Sequence, residues 1–227
     1  MNTTTYPSVV RALIRKDLAI MKIPALCYWL AGLGAIVMVM TFGDASGTVA
    51  FILFVSALVA TGVHAAMQTV TEERRSQNLP FIMSLPITIG DYTLAKMVAN
   101  LLLGGGIWLF LSAASYVIYI GDSVPHGRVP YMTILLVQIL LAYIVILTTT
   151  IVFASLVAAI SAIVAANLGS QVILWWIVGL HGVRSTINGP EVVWNATYLT
   201  VLGLQLAAIV GLIGFTFYAQ SRKTQFI

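Results

Sequence analysis

"VPYMTILLVQILLAYIVILTTTIVFASLVAAISAIVAANLGSQVILWWIVGLHGV", residues 129–183, contains no Asp, Glu, Lys or Arg. A helix crosses the hydrocarbon core of a bilayer in about 20 apolar residues. The run is too long for one such helix and about right for two joined by an uncharged turn. Its apolarity is continuous rather than alternating in short segments, which argues against a transmembrane β-barrel. The rest of the chain has the same character. Of 227 residues 60% are hydrophobic and 8% charged, and the mean hydropathy is +1.00. A soluble domain carries roughly 25% charged residues, so the solvent of this chain is mostly lipid. Its length suits an all-α membrane protein with six transmembrane helices in one bundle over residues 1–227.

The turn inside the opening run is weakly marked. Equal division puts it near Ser155, whereas "NLG" at 167–169 offers Asn-Gly punctuation. The interval Ser161–Gly169 is the expectation. The other spans read as about 24–42, closed by "GDASG", then 49–70, 98–120 and 199–219. Residues 8–22, "SVVRALIRKDLAIMK", place Val10, Leu13, Ile14, Leu18 and Met21 at helical spacing, with Arg11, Arg15 and Lys22 on the other side. This predicts a short basic amphipathic helix lying on the membrane interface; the alternative is a solvated extension of the first span. The run after these basic residues is long enough to span and lacks a prompt cleavage site, so an uncleaved first helix is expected. Cys27, the single cysteine, allows no disulfide framework within the chain.

Charge sets the orientation. Arg11, Arg15, Lys16 and Lys22 precede the first span, Arg74, Arg75 and Lys96 fall between the second and third, and Arg222 and Lys223 follow the last. Only Arg128 and Arg184 lie on the other side. This asymmetry predicts a multi-pass plasma (inner) membrane protein with both termini cytoplasmic and an extracytoplasmic loop at 181–198. The net charge of +4 is topological and does not point to nucleic acid.

The longest cytoplasmic loop is then 71–96, "TEERRSQNLPFIMSLPITIGDYTLAK". Its polar start can carry the second helix past the headgroups. Pro80 suits a first helical position, "FIMSL" forms a short apolar helix, Pro86 ends it, and Thr88 or Asp91 caps the next one. Such a helix either rests on lipid headgroups or packs against a partner. Acidic and basic residues leaving the second span, "SLPIT" at 84–88 and a lysine ten positions beyond the proline resemble the membrane subunits of type-2 ABC exporters. Glu72 or Glu73, Leu85-Pro86 and Lys96 carry the resemblance. The glycine often found after the glutamate in that family is absent, with Ser76-Gln77 in its place.

The resemblance implies that 71–96 holds a coupling helix docked on a separate ATPase dimer. Glu72, Glu73, Arg74, Arg75, Phe81, Ile82, Met83, Leu85 and Pro86 are then the ATPase-coupling residues, with Glu73 expected as an exposed flanking charge. ATP and magnesium would bind the partner, and this chain would need no cofactor. It contains no Walker motif, so it is not itself the ATPase. A second copy or a paralogue, surrounded by membrane lipid, would complete an exporter of hydrophobic or amphiphilic cargo such as a peptide, lipid or drug.

Thr61, His64, Gln68 and Glu72, spaced by three, four and four, form a polar stripe on the second span. It reads as a subunit interface or substrate path, or as ordinary hydrogen bonding between helices. "GGG" at 104–106 lacks the Lys-Ser/Thr ending of a phosphate loop and reads as close packing or a kink. Two further function classes stay open: a membrane enzyme or cofactor-handling protein using His64, His126 or His181, and a passive channel. Trp175, Trp176 and Trp194 read as interfacial anchors near the outer face.

Overall fold

The computed structural model describes residues 7–42, 44–75, 87–120, 124–153 and 155–223. Among them there is no strand, and six helices are long and apolar enough to cross a membrane: Pro7–Phe42, Gly47–Thr71, Ile89–Ile120, His126–Phe153, Leu156–Gly179 and Ala196–Ser221. An even number of spans returns the chain to the end of the bundle where it started. The fold is that of an all-α membrane protein, as the hydropathy requires.

The fourth span is the hub. It lies against the second, third, fifth and sixth spans, and 78% of its most apolar window is buried, against 17% for the first, fifth and sixth. This is why its sequence is apolar on every face. Lipid gives helices no hydrophobic reason to associate, so packing and interhelical hydrogen bonds must supply one. Gln205 on the sixth span donates to Gln138 Oε1 at 2.9 Å, and Gln138 donates onward to Ser170 on the fifth at 3.1 Å. Thr216 donates to Thr148 at 3.0 Å, and Gln220 donates to the Ile151 carbonyl at 2.6 Å.

Three boundaries differ from expectation. The fourth span ends at Phe153, and Ser155, extended at φ −121° and ψ 135°, precedes the fifth helix, Leu156–Gly179. Asn167 and Gly169 lie inside that helix. The Asn167 amide donates to the Ile163 carbonyl one turn back at 2.7 Å, so its polar group needs no turn. Residues 8–22 are also not a separate interfacial helix. They are continuous with the first span as Pro7–Phe42, with Pro24 inside the helix. At 1.5 Å per residue this helix is about 54 Å long, well beyond the ~30 Å hydrocarbon core. The apolar face of 8–22 meets protein rather than lipid: Leu13 clusters with Tyr92 and Ala95 of the third span, and Met21 with Ala65 and Leu103. The third span accordingly begins at Ile89, earlier than 98, because its first turns pack on this extension.

The loop at 181–198 holds a short helix, His181–Arg184. Asn195 caps the sixth span by accepting from the Tyr198 backbone N–H at 3.2 Å.

The "GGG" stretch acts through one residue. A Cβ on Gly104 would stand 2.7 Å from Tyr143 Cζ, and one on Gly62 would stand 2.6 Å from Cδ2 of the same ring. Tyr143, fully inside the bundle, is clamped between two glycines of the second and third spans. A Cβ added to Gly105 or Gly106 would meet no neighbouring group within 4 Å. Gly104→Ala should therefore destabilise the subunit by about 1–3 kcal/mol through overpacking, while Gly105→Ala should be neutral or slightly stabilising. Melting of both variants in mild detergent checks the contrast.

A buried charge node as candidate functional site

The residues on either side of the 76–86 segment, Glu73 before it and Tyr92 and Lys96 after it, meet in one ionic cluster. The Lys96 ammonium lies 2.8 and 3.1 Å from the two carboxylate oxygens of Asp17 and 2.7 Å from Glu73 Oε1. Lys16 pairs with Glu73 and stands 3.5 Å from Asp17. Tyr92 donates its hydroxyl to Glu73 Oε2 at 3.2 Å. The side chains of Lys96 and Asp17 are fully buried and that of Glu73 is 6% exposed, whereas Lys16 reaches solvent. Two cations face two carboxylates, so the node is neutral. A buried charge is tolerated when its partners replace the water it has lost. Here the three ammonium donors of Lys96 are matched by three carboxylate oxygens from two different elements.

Each element presents its charge for a local reason. Thr88 and Asp91 cap the third span reciprocally: the Asp91 N–H donates to Thr88 Oγ1 and the Thr88 N–H donates to Asp91 Oδ2, both at 3.1 Å. Both residues offered as alternative caps thus act together in a capping box. With the start fixed, Tyr92 and Lys96, one turn apart, face the same way. On the first helix Leu13, Asp17 and Met21 are all buried and recur every fourth residue, so Asp17 sits in the middle of the apolar face.

The second span explains which glutamate enters. Met67–Thr71 is π-helical, and the chain then continues as Glu72–Arg75. A π turn inserts one residue into the α-helical ladder and moves everything after it to a new face. The predicted stripe therefore breaks. Thr61 is buried and donates to the Ala57 carbonyl at 2.6 Å, and His64 meets the Tyr28 hydroxyl at 3.0 Å. Gln68 and Glu72 are exposed, and the buried polar residues within and just past the π turn are Thr69, Thr71 and Glu73. The expectation of an exposed Glu73 is thus corrected by its burial in the node.

A second π-helical turn, Leu101–Gly105, lies in the third span. Asn100, at its start, donates to Thr69 Oγ1 at 2.8 Å and to the Lys96 carbonyl at 2.9 Å, and its own carbonyl accepts from Tyr143 at 2.8 Å. The two π turns are thus tied to each other and to the hub directly beside the charge node. Such turns recur at functional sites.

Of the coupling residues read from sequence, Arg75 is exposed at the end of the second helix. Phe81, Ile82, Met83, Leu85 and Pro86 lie outside the described residues, as does the side chain of Arg74. The three histidines do not converge. His126 bonds the Tyr119 carbonyl at 2.9 Å at one end of the bundle, His64 sits in the second span, and His181 opens the short helix after the fifth. Sequence reasoning missed Asp17 as a site residue; an aspartate at the centre of an amphipathic apolar face was the available signal.

Six spans, and a neutral ionic node that ties the first helix to the residues flanking 76–86, describe a multi-pass membrane protein. The family described as ABC-2 family transporter protein matches residues 12–219, and the chain belongs to that family. No curated protein and no solved structure matches it.

Glu73→Ala should be strongly destabilising, because it strips a buried node of one of its two carboxylates. Glu72→Ala, on the exposed face, should melt close to wild type. A thermal-shift comparison of the two purified variants tests the one-residue shift produced by the π turn.

Proposed function

We propose that this subunit couples ATP hydrolysis on a separate ABC ATPase dimer to the export of a hydrophobic or amphiphilic substrate from the cytoplasm. The observation that carries the reading is the charge node: it joins the first helix to both feet of the 76–86 segment. An ATPase docked on that segment would push on Glu73 and on Tyr92–Lys96 together. The load would pass through buried ion pairs into the first helix, and through the π turns into the second and third spans. A ligand shifts a conformational equilibrium only as far as its differential affinity for the two states allows. Nucleotide-driven closure of the ATPases would supply that difference.

The orientation proposed places both termini, the node and 76–86 in the cytoplasm, in keeping with the distribution of Lys and Arg. A second copy or paralogue would complete the pathway. Gln68 on the second span and Gln171 on the fifth are exposed on the isolated subunit, and lipid leaves such groups unsatisfied. Reporter fusions at Lys223 and in the 122–128 loop should report opposite sides of the membrane, with Lys223 inside. Tagged subunit should also bring down an ATPase carrying Walker motifs. Reporters on one side, or a purified subunit with no ATPase under conditions that preserve complexes, would refute the reading.

A further inference from the structure

At the end of the bundle opposite the termini, a cavity of about 870 Å³ opens between the first, second and fourth spans and the end of the third. That volume lies in the range of sites for small molecules. Its floor is apolar and belongs to the protein core: Ile36, Phe54 and Leu135 are each at most 6% exposed. Its wall on the fourth span runs from Arg128 to Leu135, two helical turns or about 10 Å deep. Arg128 is exposed at the mouth beside Asn188, whose Oδ1 accepts from the guanidinium at a long 3.5 Å. Among the described residues this guanidinium has no ion-pair partner.

We infer that this cavity binds an anionic amphiphile. Its carboxylate or phosphate head would lie on Arg128 and Asn188, and its apolar chain would run inward past Met132 toward Phe54 and Leu135. The two halves of the site require different chemistry. A guanidinium presents a planar fork of donors that matches both carboxylate and phosphate, and the floor formed by Ile36, Phe54 and Leu135 offers no polar side chain to whatever follows the head inward. A wholly polar anion would leave the floor wet, and a wholly apolar ligand would leave the arginine unused. This site stands apart from the charge node and does not depend on what the transporter exports.

Three probes with one palmitoyl chain separate the possibilities when titrated into the full chain in mild detergent and read by native mass spectrometry. They are palmitate, palmitoyl-lysophosphatidylglycerol and monopalmitoylglycerol, the last uncharged. At least one anionic probe should be retained about tenfold more tightly than the uncharged one, as expected for a charge-assisted hydrogen bond. Arg128→Gln should abolish that preference. Met132→Trp should weaken all three by filling the cavity, with an unchanged melting temperature in ligand-free detergent. Preference for palmitate alone would support the site and identify a fatty acid as its source; preference for the phosphate probe alone would support it and identify a phospholipid. Equal retention of the uncharged probe, no retention of any probe, or an undiminished preference in Arg128→Gln would overturn the inference.

Discussion

Lys96→Met should lower the stability of the purified subunit by about 3–5 kcal/mol, the usual consequence of leaving buried charges without their partner. The substitution keeps an unbranched side chain, one atom shorter, and removes its charge. Among the described residues the cation left beside the fully buried Asp17 is then Lys16, at 3.5 Å, and Glu73 also loses a cation at 2.7 Å. The double variant Lys96→Met with Asp17→Asn keeps Lys16 paired with Glu73 and returns the node to neutrality. It should recover most of the lost stability, because a buried ion pair replaced as a unit is often near neutral in stability. Melting curves of the single variants and the double variant give the coupling energy directly. If the single substitution melts like wild type, Lys96 is not held in a buried ionic node.

The second large effect concerns the apolar segment itself. Phe81→Asp or Ile82→Asp would place a charge where the proposed ATPase interface is apolar, at a cost of several kcal/mol if no cation lies opposite. No span is altered, so the subunit should reach the membrane in normal amounts. Co-purification of the ATPase should fall sharply, and any complex that survives should lose substrate-stimulated ATP turnover. Normal assembly and normal coupled turnover would mean that residues 80–86 only rest on lipid headgroups.

Much of the bundle was legible in the sequence because lipid imposes a simple rule. Every crossing element must be a helix of sufficient apolar length, and continuous apolarity is visible without knowledge of packing. What could not be read in this way was decided by protein–protein contacts. Asn167 and Gly169 look like a turn, but an amide that bonds the carbonyl one turn back is as well satisfied inside a helix, and the extended residue that precedes the fifth helix, Ser155, carries no Gly, Asn or Pro signal. The amphipathic face of 8–22 suits lipid and protein equally; only the third span, packing early, resolves it.

The site was legible in its parts and hidden in its register. Glu73 and Lys96 were marked by the family resemblance, with Glu72 as an equal alternative, since α-helical spacing favoured the stripe 61, 64, 68 and 72. The π turn at Met67–Thr71 shifts that stripe by one residue, and simple periodicity contains no term for such an insertion. Asp17 was the opposite case. Its charge interrupts an apolar face at i±4 from Leu13 and Met21, a conflict that a buried partner such as Lys96 resolves.

The central claim is that the node transmits load between the ATPase-facing segment and the spans. The most direct measurement is substrate-stimulated ATP hydrolysis by the reconstituted complex carrying Lys96→Met with Asp17→Asn, compared with wild type at matched assembly. The predicted result is a folded, fully assembled complex whose basal hydrolysis persists while stimulation by substrate and transport are lost. Wild-type stimulation and transport in that complex would show that the node holds the fold together but does not couple it.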